Sequence, residues 1–309
     1  MESSLVGVGF ASPGPGVAIV ETRRPQRRPF DVVLAQNAWN VVRRDEFERL
    51  CAPYPPAMVR RMRLRRRVAA LNLRRARRVV CLTDAMADLV RRSVRREVEV
   101  APVWLPSDFV QLTATGRTPY HDVALVPGTV TWFKNPAGAL EAARALGMDS
   151  VVYAGRDDGS GCWPDVLERA DSLGLTATRT TLSRQEMYDA LAGARAVVLP
   201  SRLESLGFSL GEALTLSSRV IASPIPPHRE VASRIGRSPA WLTDRFASAV
   251  GGEAPSALDP DAVSASWSLV GEALGLEREP VDRVKQAPAA PGRAASSQRE
   301  DADPRELSD

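Results

Sequence analysis

One unit recurs through the second half of the chain: a short apolar run, a turn, then a stretch with helical spacing. The runs lie in "YHDVALVPGTV", "SVVYAGR", "LTATRTTL", "RAVVLPS" and "RVIASP". Most are apolar on both faces, so they suit strands covered on both sides rather than strands with one wet face. Strands alternating with helices imply an α/β fold with parallel sheets. In such sheets ligands bind beyond the carboxyl ends of the strands, where Gly128, Gly155 and Ser201 fall.

Local signals sharpen the pattern. A helix is expected from about residue 136 to 146, with Pro136 at its first turn, where a missing N–H costs nothing. Another is expected over 164–173. Ser183-x-x-Glu186 forms a capping box opening "RQEMYDALAGA". The resulting βαβαβαβ order is that of a doubly wound nucleotide-binding unit. In the first half, strands are expected at 17–20, 31–35, 79–82 and 98–103, and a weaker helix closes the ordered part at 261–274. Turn formers in "PSDFVQLTATGRTPY" separate the halves. The expected organisation is a short N-terminal unit at 1–115, a second unit at 116–280 and a disordered tail at 281–309, ending in "APAAPGRAASSQREDADPRELSD".

With 309 residues, two cores are affordable in size, and 44% hydrophobic with 25% charged residues is the composition of a soluble globular protein. No apolar run reaches the ~20 residues of a membrane span, and "MESSLVGVGF" lacks a basic start and a long apolar segment. Cys51, Cys81 and Cys162 are odd in number and far apart, so reduced thiols in a cytoplasm are expected. Only His121 and His228 are present, which leaves histidine-based metal sites and Ser-His-Asp triads poorly supplied.

The net charge of +4 is unevenly placed: residues 60–78 hold ten arginines and no acid. Met58, Met62, Leu64, Val68 and Leu71 recur there at helical spacing, giving an amphipathic helix with a basic face. Such a face is either simply solvated or a surface for polyanions: anionic lipid, nucleic acid or a phosphorylated substrate. Nucleic acid is the weaker option, because no aromatics are interleaved for stacking and no helix-turn-helix or zinc-finger spacing is present.

The stretch "PSRLESLGFSLGEAL", residues 200–214, sets Glu204 and Glu212 on either side of a Gly-Phe step at a helix start. On one reading Ser209-x-x-Glu212 is a capping box and Glu204 a loop charge. On the other, "ESLGF" turns tightly and leaves the N–H groups of Gly207, Phe208 and Ser209 free to meet a phosphate. The two carboxylates then accept from hydroxyls on either side of it.

"VVLPSRLESLGFSLGEALTLSSRVIASPIPPHREV" resembles the signature of retaining glycosyltransferases of the family 4 type, with their Glu-x7-Glu motif. "LVPGTVTWFKNPAGALEAARAL", "LSRQEMYDALAGARAVVLPS" and "RARRVVCLTDAMADLV" are similar to further segments of that family, so the likeness covers roughly residues 70 to 275. The resemblance implies the GT-B fold, two Rossmann-like doubly wound domains facing a cleft, here with the N-terminal one shortened. It further implies a nucleotide-diphospho-sugar donor, no cofactor, no metal and retention of anomeric configuration. Carried over, Glu204 faces the donor sugar, Lys134 neutralises the departing diphosphate, and Glu212 holds the ribose hydroxyls. Gly128, Thr129, Gly207, Phe208, Ser209 and Leu210 line the donor. Asp-x-Asp occurs only at residues 259–261 and 301–303, in a helix start and the tail, so metal-dependent transfer is not expected.

Three departures from the family stand out. Thr129 follows Gly128 where the family has an arginine, which makes Arg156 and Arg202 the candidates for that phosphate clamp. "GVGFASPGPGVAIVE" runs into another strand without a long helix. Residues 1–120 hold no histidine, and Gln36 and Asn37 occupy the strand end that faces an acceptor, whose identity is open. Besides an active enzyme, the expectations therefore include a catalytically weakened homologue acting as a partner subunit, and a polyanion-binding protein working through the basic helix. The enzyme is expected in the cytoplasm, with peripheral contact at the inner membrane face.

Overall fold

The structure is a computed structural model, and it describes residues 16–18, 21–22, 28–106, 109, 114–115, 117–242 and 260–276. The expected tail, residues 1–15 and the aspartates at 259, 301 and 303 lie outside the described residues.

The first unit contains β1 (Val17–Ala18), β2 (Val32–Ala35), α1 (Arg44–Cys51), α2 (Pro56–Arg75), β3 (Arg78–Cys81), α3 (Asp84–Val94) and β4 (Glu99–Val100). Its sheet runs β1-β2-β3-β4, parallel throughout, with Val32 opposite Arg78 and Ala35 opposite Cys81. The second unit contains β5 (Ala124–Pro127), α4 (Pro136–Ala145), β6 (Ser150–Ala154), α5 (Cys162–Leu173), β7 (Thr176–Thr180) and α6 (Arg184–Gly193). It continues with β8 (Ala196–Leu199), α7 (Phe208–Leu216), β9 (Val220–Ala222), α8 (Pro226–Ile235), β10 (Ala240–Trp241) and α9 (Pro260–Ala273). Here the strand order is β10-β9-β8-β5-β6-β7, all parallel. The chain winds outward from β5 to β7, returns beside β5 as β8 and winds the other way. That reversal is the switch point at which doubly wound sheets bind ligands.

Strand alternation divides the core. Val32 and Leu34 on β2 enter one apolar cluster while Val33 and Ala35 enter another, as side chains of successive residues must. The first of these clusters also takes Leu125, Val152 and Val197 from the second sheet, so both units share it. A separate cluster containing Val126, Leu140 and Tyr153 fills the far face of the second sheet. All three cysteines are buried free thiols.

Several expectations shift in detail. Of the strand expected over 98–103, Glu99–Val100 form β4; beyond it the Ala101 and Val103 amides still donate to the Cys81 and Leu82 carbonyls, while Pro102 between them has no N–H to give. The basic helix ends at Arg75, because Ala76 turns extended (ψ 146) and Arg78 already belongs to β3. Its apolar residues do not form one stripe. At 100° per residue, Met62 and Leu64 point to nearly opposite sides. Met62 packs with Val59 against the core, whereas Leu64 and Leu71 are 62% and 42% exposed. A further helix, α1 at Arg44–Cys51, lies outside the expected elements; Asp45 and Glu46 sit in its first turn, Arg49 in its last, and Phe47 and Cys51 are buried.

Candidate active site

The site is assembled from the loops that follow β5 and β8. After β5 the chain turns at Gly128, and a short 3₁₀ segment, Trp132–Lys134, ends in left-handed Asn135. Pro136 then starts α4. This places Lys134 over the Gly128 turn: its Nζ lies 2.8 Å from where a Gly128 Cβ would stand. The neighbouring Gly155, at the end of β6, packs against the same turn, and a methyl on it would overlap the Gly128 carbonyl.

After β8, Ser201 donates to Glu204 Oε1 at 2.8 Å, and Lys134 Nζ reaches the same oxygen at 3.3 Å. The two side chains of this ion pair are 23% and 17% exposed. Gly207 then adopts φ 70, ψ 25 and caps α7, a left-handed conformation that glycine tolerates best. Its carbonyl takes the amides of Leu210 and Gly211. Among the described residues, the amides of Gly207, Phe208 and Ser209 have no hydrogen-bond acceptor. The helix N-terminus therefore presents three donors together with its positive dipole end. No side chain caps α7, so Ser209 and Glu212 do not form the capping box that one reading allowed.

Glu212 is held elsewhere. Tyr188 on α6 donates to its Oε1 at 3.1 Å, Arg184 donates to the Tyr188 hydroxyl at 2.8 Å, and Arg184 stands 3.7 Å from Glu212. Burial, followed by the adjoining Glu212 charge, pushes the Tyr188 phenol well above its ordinary range, so it stays a donor. A cavity of about 210 Å3 is lined by Glu204, Gly207, Phe208, Ser209, Leu210 and, from the first unit, Gln36.

His228 also lines this cavity. Its Nδ1 lies 2.9 Å from the Ser223 carbonyl, and among the described residues its buried Nε2 has no partner. Burial lowers its pKa, with nearby Glu204 acting in the opposite sense, so the ring is neutral. Nδ1 then carries the proton, and Nε2 is an acceptor.

The remaining sequence candidates are more peripheral. Thr129, Arg156 and Arg202 are exposed. Arg202 lines a cavity of about 330 Å3 between the units with Glu46, Arg49 and Trp132, and a smaller one that reaches Glu204. The Asn37 amide donates to buried Glu21 at 2.9 Å. That carboxylate also collects the backbone amides of Gln36 and Asn37 and the Asn40 side chain. Glu21 thus shapes the loop that carries Gln36 and Asn37, a role that no sequence motif flags.

Contacts between the units converge on the same loops. Ser205 accepts from the Ala38 amide at 2.8 Å and its carbonyl accepts from Thr83 at 3.0 Å. The Tyr54 hydroxyl lies 2.5 Å from Thr131 Oγ1. Glu230, the acid of "HREV", caps α3 across the interface through the amides of Asp84 and Ala85, both at 3.0 Å.

This architecture is α/β, with two Rossmann-like units facing a cleft, the GT-B arrangement. Among solved structures the chain is similar to WaaG, a glycosyltransferase involved in lipopolysaccharide biosynthesis. The TM-score is 0.53 at 15% identity, over 84% of this chain and 68% of that one. It is also similar to AviGT4, a glycosyltransferase involved in avilamycin A biosynthesis (TM-score 0.45, 16% identity, 68% of this chain and 64% of that one). A third is an α,α-trehalose-phosphate synthase (UDP-forming) from Burkholderia vietnamiensis (0.46, 11%, 80% and 61%). The chain spans less than two thirds of the length of the last two. No protein-family model and no curated protein matches the chain.

Proposed function

We propose that this chain is a retaining glycosyltransferase that moves a sugar from a nucleotide-diphospho-sugar to an acceptor. The observation that carries this is the Lys134 ammonium, paired with Glu204 at 3.3 Å, standing at the switch point beside the helix end whose amides at 207–209 are unengaged. Breaking the bond between sugar and diphosphate builds negative charge on the leaving phosphate and positive charge on the sugar. An ammonium and helix N–H groups aimed at the phosphate stabilise that state more than the ground state. Each such donor is worth about 3 kcal/mol on typical figures.

In this scheme Lys134 and the amides of Gly207, Phe208 and Ser209 receive the diphosphate, and these groups rather than a metal neutralise it. Glu204 faces the donor sugar, and Glu212, oriented by Tyr188, accepts from the ribose hydroxyls. The acceptor enters from the side of Gln36 and the cavity that contains Arg202.

A thermal-unfolding screen of nucleoside diphosphates and nucleotide-sugars tests the binding half, since a ligand of the folded state raises the midpoint. Donor hydrolysis or transfer by the wild type, lost in Glu204→Gln and Glu212→Ala, tests the chemistry. No shift with any nucleotide would refute the assignment. A shift without turnover of any donor would instead make the chain a binding subunit.

A further inference from the structure

We propose that the outer face of α2 docks this protein on an anionic lipid bilayer. Two observations independent of the cleft lead there. The first is an apolar crest. Among the described residues only four large apolar side chains are markedly exposed, and two of them, Leu64 and Leu71, stand one above the other on this helix. Their seven-residue spacing is about two turns, so both point the same way, with half-buried Val68 between them. The other two, Leu167 and Leu269, lie on different helices, α5 and α9.

The second observation is the charge around that crest. Arg60, Arg61 and Arg67 flank it within about 60° on the helical wheel, Arg74 lies slightly further round, and α2 contains no acid. Among the described residues these four make no ion pair. Beside them, a cavity of about 530 Å3 opens in the groove between α1 and α2, lined by Arg44, Arg63, Arg66 and Arg67 over Phe47. Glu48 pairs with Arg63 at 2.6 Å and its charge also reaches Arg66. Arg66 is fixed by its bonds to the Trp39 and Val42 carbonyls and its position over the Phe47 ring.

A face with leucines along its centre and arginines along its flanks matches a surface that is apolar inside and anionic at its rim, which is a bilayer. A nucleic acid would meet the arginines but leave the leucines in water, and α2 offers no aromatic ring for stacking. A docked helix of this kind lies along the surface, in keeping with the fact that no described helix is long and apolar enough to cross a membrane. The opposite side of α1 lines the cavity shared with Trp132 and Arg202, so docking would bring the cleft within one helix of the lipid.

Co-sedimentation with phosphatidylcholine vesicles, with and without phosphatidylglycerol, tests the proposal. Binding is expected only with phosphatidylglycerol, and it should weaken as salt rises. Leu64→Ser with Leu71→Ser should weaken it about tenfold or more, and each of Arg60→Gln, Arg61→Gln, Arg67→Gln and Arg74→Gln about fivefold. The variants should keep the wild-type melting temperature and nucleoside diphosphate binding, because the changed side chains lie on the surface away from the cleft. No binding to phosphatidylglycerol vesicles overturns the proposal. So does equal binding to both vesicle types, or full binding by the leucine variant together with displacement by RNA. Loss of nucleotide binding in the wild type would remove the proposed enzyme while leaving the docking face standing.

Discussion

Lys134→Gln removes the ammonium that stands 3.3 Å from Glu204 Oε1. At that distance, with an effective dielectric near 20, the pair attracts by about 5 kcal/mol before desolvation is counted. Both side chains are largely withdrawn from water, at 23% and 17% exposure. Desolvation therefore offsets much of the attraction and leaves a net stability loss of about 1 to 3 kcal/mol for the variant. Its effect on ligands is more specific. A diphosphate placed against the amides at 207–209 loses one charge-assisted hydrogen bond and gains an unneutralised carboxylate close by. The expected result is a tenfold to hundredfold rise in the Kd for nucleoside diphosphates, from about 1.5 to 3 kcal/mol. Glu204→Gln should do the reverse. With its competitor gone the ammonium is free for phosphate, so diphosphate binding holds or tightens while sugar transfer is lost. Isothermal titration of ribonucleoside diphosphates into wild type, the two single variants and the double variant closes a thermodynamic cycle for the pair. If Lys134→Gln binds like the wild type, or if Glu204→Gln weakens diphosphate binding as much as Lys134→Gln, the roles assigned to this pair are wrong.

Three further outcomes are expected. Tyr188→Phe deletes the phenol that donates to Glu212 at 3.1 Å; a net loss near 1 kcal/mol should weaken ribonucleoside diphosphates about fivefold. A 2′,3′-dideoxy analogue should be little affected, and equal weakening of both would exclude a ribose role for Glu212. Glu230→Ala uncaps α3 at Asp84 and Ala85 across the interface. A loss of about 1 to 2 kcal/mol should lower the unfolding midpoint by a few degrees, and an unchanged midpoint would show the contact to be idle. His228 is neutral in the fold because burial lowers its pKa below the ordinary value near 6.5. The unfolded chain takes up a proton as pH falls through about 6.5, and the folded chain only at a lower pH. Stability is thus full above that pH and declines below it, by at most about 1.4 kcal/mol per pH unit from this group. Denaturation midpoints between pH 5 and 8 should lose that part of their slope in His228→Phe, and identical slopes would contradict it.

Much of the frame around the site was legible in short stretches of sequence. The run "RAVVLPS" reads as a buried strand because its apolar residues face helices on both sides, and β8 is that strand. Ser183 and Glu186 read as a capping box, and both of its hydrogen bonds are present. Pro136 reads as a helix opener and starts α4. These signals are local: each depends on residues within one turn or one strand. The polar partners of the site were not legible, because they are distant in the chain. Tyr188 reaches Glu212 from 24 residues away, and Glu21 reaches Asn37 from 16. Ser205 meets Ala38 across 167. The helical spacing in α2 was visible, but its direction was not. Only packing shows that Met62 faces inward and Leu64 outward.

The sequence by itself determined the alternation of strands and helices, the positions of the turns, and two carboxylates eight residues apart around a glycine. Backbone geometry and side-chain periodicity act over a few residues and do not need the rest of the molecule. Tertiary structure alone decided that Glu204 is paired by Lys134 and that Glu212 is held by Tyr188 rather than capping its own helix. It also decided that Glu230 grips the other unit and not the cleft. Such choices are made by whichever donor the folded sheet brings within about 3 Å, and that proximity exists only once the strands have assembled in their reversed order.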